Sequence, residues 1–311
     1  MDLPAGYDYR APTEDDLDAI ERVLAADDAD DAGQGVLNAD FVREGWSTPG
    51  FDVATDAWVV LDRTGTVVAY GHVQPEDPDI IESWGVVHPE HRRRGLGTAL
   101  MDRIEARTIE RLAEPPYRRF HHAINATDAA AARMLAARGL RPVRHFWHME
   151  IEIEAPFEAG TPADGIEIGG VDAPADLPAV HAVVDAAFAD HWNYVSIPFD
   201  RWVEEYSTGP SFDPTLWLLA REGEEAVGAL TANVFGDRGW VAELGVLSSH
   251  RGRGIASALL RHSFATFADR GLWSVMLNVD AENTTGATAL YERVGLRVVK
   301  RWDLWERLPD D

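Results

Sequence analysis

Residues 91–97 read His91-Arg92-Arg93-Arg94-Gly95-Leu96-Gly97, and residues 250–256 read His250-Arg251-Gly252-Arg253-Gly254-Ile255-Ala256. The two copies lie 159 residues apart, about half of a 311-residue chain. Each follows an apolar, strand-like run and opens a run with helical spacing. A glycine-rich turn bearing arginine at a helix start offers backbone N–H groups and positive charge to a phosphate. Its recurrence in the same local context implies that the chain duplicates a unit built to bind a phosphate-bearing molecule.

The duplication is wider than the turn. Ala11-Pro12 and Ala173-Pro174 each head a helical run, and Gly139-Leu140-Arg141 and Gly295-Leu296-Arg297 each end one. A unit of roughly 150 residues is of ordinary domain size and can bury its own core. The stretch from Pro156 to Gly170, rich in Pro, Gly and Ala, is the natural boundary. The division expected is therefore residues 1–155, a linker at 156–165, and residues 166–311.

Net charge at pH 7 is −25, with 29 acids and 16 bases in residues 1–155 and 24 and 12 in residues 156–311. Such a field opposes a nucleic-acid duplex, and HRRRG is too short to reverse it, so no nucleic-acid partner is expected. The acidity would favour cationic ligands, but the plainer reading, preferred here, is solubility or a salt-rich cytoplasm. Lys300 is the only lysine, and there is no cysteine, hence no disulfide, thiolate metal site or cysteine nucleophile. Residues 1–6 lack the basic and apolar regions of a secretory signal, and no apolar run approaches the ~20 residues of a membrane span. A cytoplasmic monomer or homodimer without membrane contact is expected.

Periodicity places the elements. In the first repeat these are a strand at 7–10, a helix from Glu14 to Ala26 capped by Thr13, and a loop from Asp27 to Gly35. A hairpin of 57–62 with 66–73 follows, then a strand at 80–87 and a helix from Leu96 to Leu112. A strand at 120–124, a helix from Asp128 to Arg138 closed by Gly139, and last strands at 143–153 complete it. The second repeat runs in parallel: a strand at 166–168, helices at 177–189 and 199–206, and strands at 216–221, 226–234 and 240–247. Then come a helix at 255–268, a strand at 274–279, a helix at 285–294, and a final hairpin at 298–306. This is an α/β order with a mixed sheet.

The order, with Arg92-x-x-Gly95-x-Gly97 and Arg251-x-x-Gly254-x-Ala256 opening a helix, resembles the GCN5-related N-acetyltransferase (GNAT) superfamily. The second repeat also carries Asn283-x-x-x-Ala287-x-x-Leu290-Tyr291-Glu292-x-x-Gly295-Leu296. That is similar to the superfamily's N-x-x-A-x-x-L-Y-E-x-x-G-F, with one extra residue after the Asn. The tandem arrangement also resembles the mycothiol synthase family, whose substrate architecture alone does not transfer. A dinucleotide-binding G-x-G-x-x-G is the rival reading of the turns, and it fails at the third glycine, where Leu100 and Ser257 stand.

The resemblance implies an α/β fold of two tandem GNAT-like domains, each a mixed, mostly antiparallel sheet flanked by helices. It implies an acyl-CoA-dependent N-acyltransferase with acetyl-CoA as co-substrate, no metal, and a small-molecule primary amine as acceptor, such as an amino sugar or a cysteinyl-type compound. The implied donor-binding residues are Arg251, Gly252, Arg253, Gly254, Ile255, Ala256, Ser257 and Asn283, with backbone N–H groups around Val246 and Leu247 on the thioester carbonyl. Their first-repeat counterparts are Val87, Arg92, Gly95, Leu96, Gly97 and Thr98. Tyr291 matches the tyrosine that protonates the CoA sulfur. Glu243 interrupts the apolar strand Val241-Ala242-Glu243-Leu244-Gly245-Val246, and a buried carboxylate there suits a general base. His191, Trp192 and Tyr194 fall in the loop expected to hold the acceptor. Without cysteine, direct attack in a ternary complex is expected rather than a Cys-linked acyl-enzyme.

The first repeat departs from this pattern. Leu135 stands four residues before Gly139, where Tyr291 stands before Gly295, and Glu82 lies two residues earlier than Glu243 relative to the turn. The first repeat is expected to be non-catalytic, a CoA binder or a scaffold. His88, His121 and His122 offer acid–base groups, while adjacent His121 and His122 on a strand point to opposite faces and make a poor metal pair. A CoA-binding regulatory or scaffold protein without turnover is the alternative for the whole chain.

Overall fold

Each arginine–glycine turn ends in a glycine with positive φ, Gly95 at +87° and Gly254 at +80°, and the helix begins at the next residue. A left-handed residue reverses the chain at low cost only when it lacks a Cβ. The helices then follow the apolar spacing. Leu96, Leu100, Met101 and Ile104 form the buried stripe of the first, and Ile255, Leu259, Phe264 and Phe267 that of the second. The computed structural model describes residues 1–30, 37–76, 79–114, 116–154, 157–283 and 285–307.

The chain divides into two units, Met1–Phe146 with Lys300–Asp311, and Trp147–Val299. Up to the first boundary the elements are β1 (Asp8–Arg10), α1 (Leu17–Asp30), α2 (Ala39–Trp46), a one-turn α3 (Val53–Asp56), β2 (Ala57–Leu61), β3 (Val67–Pro75) and β4 (Ile80–Val87). Next come α4 (Leu96–Leu112), β5 (Arg119–Asn125), α5 (Ala129–Ala137) and β6 (Leu140–Glu152), which runs through the boundary. The second unit continues with β7 (Ile166–Gly170), α6 (Leu177–Phe188), α7 (Phe199–Tyr206), β8 (Leu218–Glu222), β9 (Glu225–Phe235) and β10 (Arg238–Val246). Then follow α8 (Ile255–Asp269), β11 (Ser274–Asp280), α9 (Ala287–Arg293) and β12 (Arg297–Arg307), which crosses back.

In the first unit the strand order is β1-β2-β3-β4-β5 with β12 beside β5. All the pairs are antiparallel except β4 with β5. In the second the order is β7-β8-β9-β10-β11, with residues of β6 beside β11. Only β10 with β11 is parallel among the pairs from β7 to β11. Both units thus carry the mixed, mostly antiparallel sheet expected. Capping is as local chemistry dictates: the Asp128 carboxylate accepts from the Ala130 and Ala131 N–H groups, each at 2.9 Å, and starts α5. At Thr13 a short 3-10 turn precedes α1, because the Asp16 carboxylate takes both the Thr13 N–H (2.8 Å) and its hydroxyl (3.0 Å).

Two expectations about the repeat ends need correction. The segments read as last strands at 143–153 and a hairpin at 298–306 are each one long strand, β6 and β12. Moreover, β12 joins the first unit: Trp302 pairs with Asn125 and Glu306 with His121. Residues from Trp147 onward of β6 belong to the second unit. The units therefore do not divide as 1–155 and 166–311; each holds the terminal strand of the other repeat. Pro and Gly between 156 and 170 mark a loop correctly, but composition does not say which sheet edge a terminal strand extends.

The parallel pair opens in both units. β4 and β5 pair from Ile80–Arg119 to Ser83–His122, and β10 and β11 only from Arg238–Ser274 to Trp240–Met276. Beyond those points the strands part toward the turns. In β10 the parting coincides with a bulge between Val241 and Glu243, where Ala242 is the extra residue against β9.

Candidate active site

The backbone of the second turn is the first component. Among the described residues, the N–H groups of Gly252 to Ser257 donate to no protein acceptor; the first helical bond runs from the Ala258 N–H to the Gly254 carbonyl, 3.0 Å. Six amides at the positive end of a fifteen-residue helix form an anion cradle. Gly252 and Gly254 both have positive φ, at +78° and +80°, and a Cβ there would meet nothing within 4 Å. The glycines therefore serve the backbone conformation. The Ile255 side chain is buried in the core, so only its amide faces the cradle.

The arginines do something other than expected. Arg251 folds back, its Nε donating to the Val246 carbonyl (3.3 Å) and Nη2 to the Ala187 carbonyl (3.2 Å). Arg253 makes a forked contact with Glu222 at 2.7 and 3.2 Å, and His250 Nε2 lies 3.1 Å from the same carboxylate. Those hydrogen bonds, Arg253 first, hold the Glu222 carboxyl down at about 2. Both arginines brace the turn, and the amides of 252–257 are left without a protein acceptor among the described residues.

Glu243 stands where the sheet opens. Its backbone pairs with Thr231, and the Thr231 hydroxyl donates to its Oε2 at 3.3 Å. The side chain is half-buried. Loss of water around the carboxylate pushes its pKa up to about 7, against the Thr231 hydrogen bond and with help from the negative charge of Glu205 on α7. A carboxylate poised there can take a proton near neutral pH. The sheet edge supplies a donor too. The Leu247 N–H is committed to the Val227 carbonyl at 3.0 Å, so Leu247 does not serve a ligand carbonyl as expected. Successive residues of a strand direct their amides to opposite sides, so the Val246 N–H points into the opening.

Tyr291, on α9, is 9% exposed and packs in the main hydrophobic cluster of the second unit. Its hydroxyl has no protein partner among the described residues, and burial pushes the phenol up to about 12. It therefore remains a proton donor throughout the neutral range. Gly295 closes the helix at φ +104°, and a Cβ there would sit 2.9 Å from Ile151 Cδ1 on β6. Asn283 is used locally: its Oδ1 accepts from the Thr285 N–H (2.7 Å) and hydroxyl (2.5 Å), shaping the loop ahead of α9.

Residues 183–296 match the profile described as the acetyltransferase (GNAT) family, and residues 54–136 that of the acetyltransferase (GNAT) domain. A mycothiol acetyltransferase of Catenulispora acidiphila is 35% identical over 221 residues, 68% of this chain and 67% of the relative. Another, of Thermomonospora curvata, is 33% identical over 74% of this chain and 75% of its own. The chain belongs to the GNAT family. A solved GCN5-related N-acetyltransferase from Sphaerobacter thermophilus superposes with a TM-score of 0.84 at 33% identity, covering 100% of this chain and 98% of that one. A tandem GNAT protein from the clavulanic acid biosynthesis pathway shares the fold, with a TM-score of 0.69 at 17% identity over 98% and 100% of the two chains. The protein is accordingly an acyl-CoA-dependent N-acyltransferase built from two GNAT domains.

The loop after α6 of the second GNAT domain distinguishes its three aromatic candidates. Tyr194 donates to Asp185 at 2.8 Å and anchors the loop, with Asn193 left-handed beside it at φ +60°. His191 packs on Phe188 at 4.4 Å; burial lowers its pKa, and the charges of Asp280 and Arg251 act on it in opposite senses. It thus lies near the turn and the end of β11. Trp192 is half-buried in the same loop. Sequence reading placed 199–205 near the acceptor and did not find Thr231; neither Thr231 nor Glu205 carries a local signal of its action on Glu243, from which each is distant in sequence.

The first GNAT domain repeats the cradle and has other residues at the positions of Glu243 and Tyr291. The amides of Arg93 to Thr98 donate to no protein acceptor among the described residues, and Arg92 Nε meets the Val87 carbonyl at 3.3 Å, as Arg251 meets Val246. Arg93 takes the left-handed place of Gly252, at φ +59°. The rest of the Arg92 guanidinium pairs with Asp27 and Asp30 of α1. By strand register the position of Glu243 opposite Thr231 is held by Trp84 opposite His72. Glu82 sits two residues further along, opposite Gln74. Leu135, at the Tyr291 position, is fully buried. The opening between β4 and β5 widens into a cavity of about 600 Å³ whose wall includes Trp84, His122, Asn125, Lys300 and Trp302. Lys300, the single lysine, is spent there on a buried ion pair with Asp28 at 2.5 Å. His121 faces Glu306 while His122 bonds Ser83, so the two histidines diverge as strand alternation requires. No cluster of three or more metal-ligating side chains occurs among the described residues.

Proposed function

We propose that the second GNAT domain transfers the acetyl group of acetyl-CoA to the primary amine of a small molecule by direct attack in a ternary complex. The observation that carries this reading is Glu243, a carboxylate with a proton affinity near neutrality, placed at the bulge where the sheet opens beside the anion cradle. The amides of 252–257 hold the donor's pyrophosphate, and the arm of the donor runs along the opening past the Val246 N–H. Glu243 removes a proton from the acceptor ammonium. The amine nitrogen then bonds to the thioester carbon while the carbonyl oxygen gains charge against the Val246 N–H. As the C–S bond breaks, the Tyr291 hydroxyl supplies the proton that the sulfur takes up, and the second proton lost by nitrogen restores the phenol. The products are an N-acetyl amine and free CoA.

The relatives are named for mycothiol, which directs the acceptor reading to a thiol-bearing or amino-sugar amine of small size. His191 and Trp192 are its proposed contacts, with Tyr194 holding their loop. The first domain is proposed to bind CoA without turnover through Val87, Arg92, Gly95, Leu96, Gly97 and Thr98. An amine panel that follows release of CoA thiol identifies the acceptor.

A pH profile tests the base. The deprotonated form acts, so kcat/KM for acetyl-CoA at saturating amine should rise about tenfold per pH unit below 7 and level above it. Glu243→Gln should lack that limb, any remaining one belonging to the acceptor. Folding linkage gives an independent check. Glu243 is raised from 4.5 to about 7, so the stability it contributes is full below pH 4.5 and lost as pH rises through 7. Glu243→Gln should therefore melt no lower than the native protein at pH 8. A profile unchanged by the substitution would remove Glu243 from this role.

A further inference from the structure

We propose that Arg93 recognises the 3′-phosphate of CoA in the first domain, so that this domain, unlike the second, tells CoA from dephospho-CoA; the inference rests on the reading that the first turn binds CoA. It starts from the charges on the wall of the cavity of about 600 Å³. The arginines and lysines that line it are Arg92, Arg93 and Lys300. Arg92 pairs with Asp27 and Asp30, and Lys300 with Asp28, so carboxylates of α1 neutralise both. The Arg93 side chain is exposed and has no ion pair or hydrogen bond to protein among the described residues. In a chain of net charge −25, an arginine on a cavity wall without a carboxylate keeps its charge for a ligand.

The two turns differ at this place. Arg93 holds φ +59°, a conformation that glycine adopts freely and a side chain resists. The second turn has Gly252 there, at +78°. A side chain thus stands in the first turn where its absence would be cheaper for the backbone. The next residue differs as well. Arg253 is forked on Glu222, whereas Arg94, in the same place, donates to the neutral Tyr7 hydroxyl at 3.1 Å. The first turn therefore carries, at 93 and 94, two guanidinium charges that no carboxylate of the described residues balances. At 252 and 253 the second carries none.

CoA offers anionic oxygens at its pyrophosphate and at its 3′-phosphate. The amides of Arg93 to Thr98, which have no protein acceptor among the described residues, suit the pyrophosphate. The 3′-phosphate is a monoester that carries close to two charges at neutral pH. It is joined to the pyrophosphate through the adenosine ribose, so a side chain rising from the turn itself is placed to reach it. The guanidinium fork fits two of its oxygens at once. Dephospho-CoA lacks this group and is identical in the pyrophosphate and along the whole arm, so the two ligands isolate the contact.

Calorimetry on the full chain carrying Gly254→Val, which silences the second cradle, tests this with CoA and dephospho-CoA. CoA is expected to bind about tenfold tighter, by a margin that shrinks as salt is added. Adding Arg93→Gly, the residue of the second domain, should bring the two ligands within about twofold by weakening CoA alone, with no fall in melting temperature. The chain carrying Gly95→Val, which silences the first cradle instead, should bind the two within about twofold at its second site. Equal affinities with Arg93 present, a preference that survives Arg93→Gly, or the same preference at the second site would each overturn the 3′-phosphate reading and leave the first-domain CoA site standing. No binding of either ligand to the Gly254→Val chain would instead overturn the first-domain CoA site itself. Arg93→Gly in the otherwise native chain should likewise remove the preference from one of two sites, so the outcome does not hang on the Gly254→Val background.

Discussion

A chain carrying Gly254→Val should keep its fold and lose turnover. The residue sits at φ +80°, which costs a side-chain-bearing residue roughly 1–2 kcal/mol and a β-branched one more. Its Cβ would meet no neighbour within 4 Å, so nothing in the core is displaced. The strain is relieved by re-forming the turn, and that moves the six amides off the donor phosphates. Acetyl-CoA binding to the second domain should fall below detection by calorimetry, with far-UV circular dichroism and cooperative melting retained. Gly95→Val makes the matching change in the first domain, at φ +87° and with Pro4 Cγ 3.4 Å from the new Cβ. It should alter first-site occupancy or stability and leave most turnover intact. The two sites lie in separate units, so the effects should be nearly additive. Proportional loss of activity in a folded Gly95→Val protein would mean that both domains are catalytic or strongly coupled, and the division of labour argued above would be wrong.

Tyr291→Phe should lower kcat by about 10²–10⁴-fold and leave the dissociation constant of acetyl-CoA nearly unchanged. Phenylalanine keeps the ring in its buried place and removes only the hydroxyl, which makes no protein hydrogen bond among the described residues. The substitution thus separates proton donation from packing. With the phenol at about 12, the defect should be constant from pH 6 to 9, unlike that of Glu243→Gln. Near-native kcat in an assay limited by chemistry would exclude Tyr291 as the acid.

What could be read from sequence was local. The helix from Leu96 to Leu112 has the boundaries its spacing predicts, because a positive-φ glycine and an apolar stripe act within a few residues of each other. The left-handed glycine that opens the helix at Ile255 belongs to the same class. The rest depends on partners far along the chain. Nothing near Ala242 announces a bulge, which arises only against β9. The Leu247 amide looks available until Val227 is placed beside it. Arg251 and Arg253 read as phosphate ligands until Ala187 and Glu222 compete for them. Trp84 is an unremarked strand residue until the register sets it where Glu243 stands in the second domain. Likewise β12 has the alternation of any terminal strand, and its hydrophobic pattern is satisfied on either sheet.

The exchange of terminal strands bears on how a duplicated gene can change. Two domains joined only by a linker could each be deleted without harm to the other's sheet. Here residues 147–152, encoded by the first repeat, belong to the second unit, and Ile151 packs against Gly295 at the end of the helix bearing Tyr291. The second repeat in turn supplies residues 302–306 to the sheet of the first. Neither half can be dropped at the linker without opening a sheet in the other. The first copy is thereby tied to the second by architecture, whatever its own ligand.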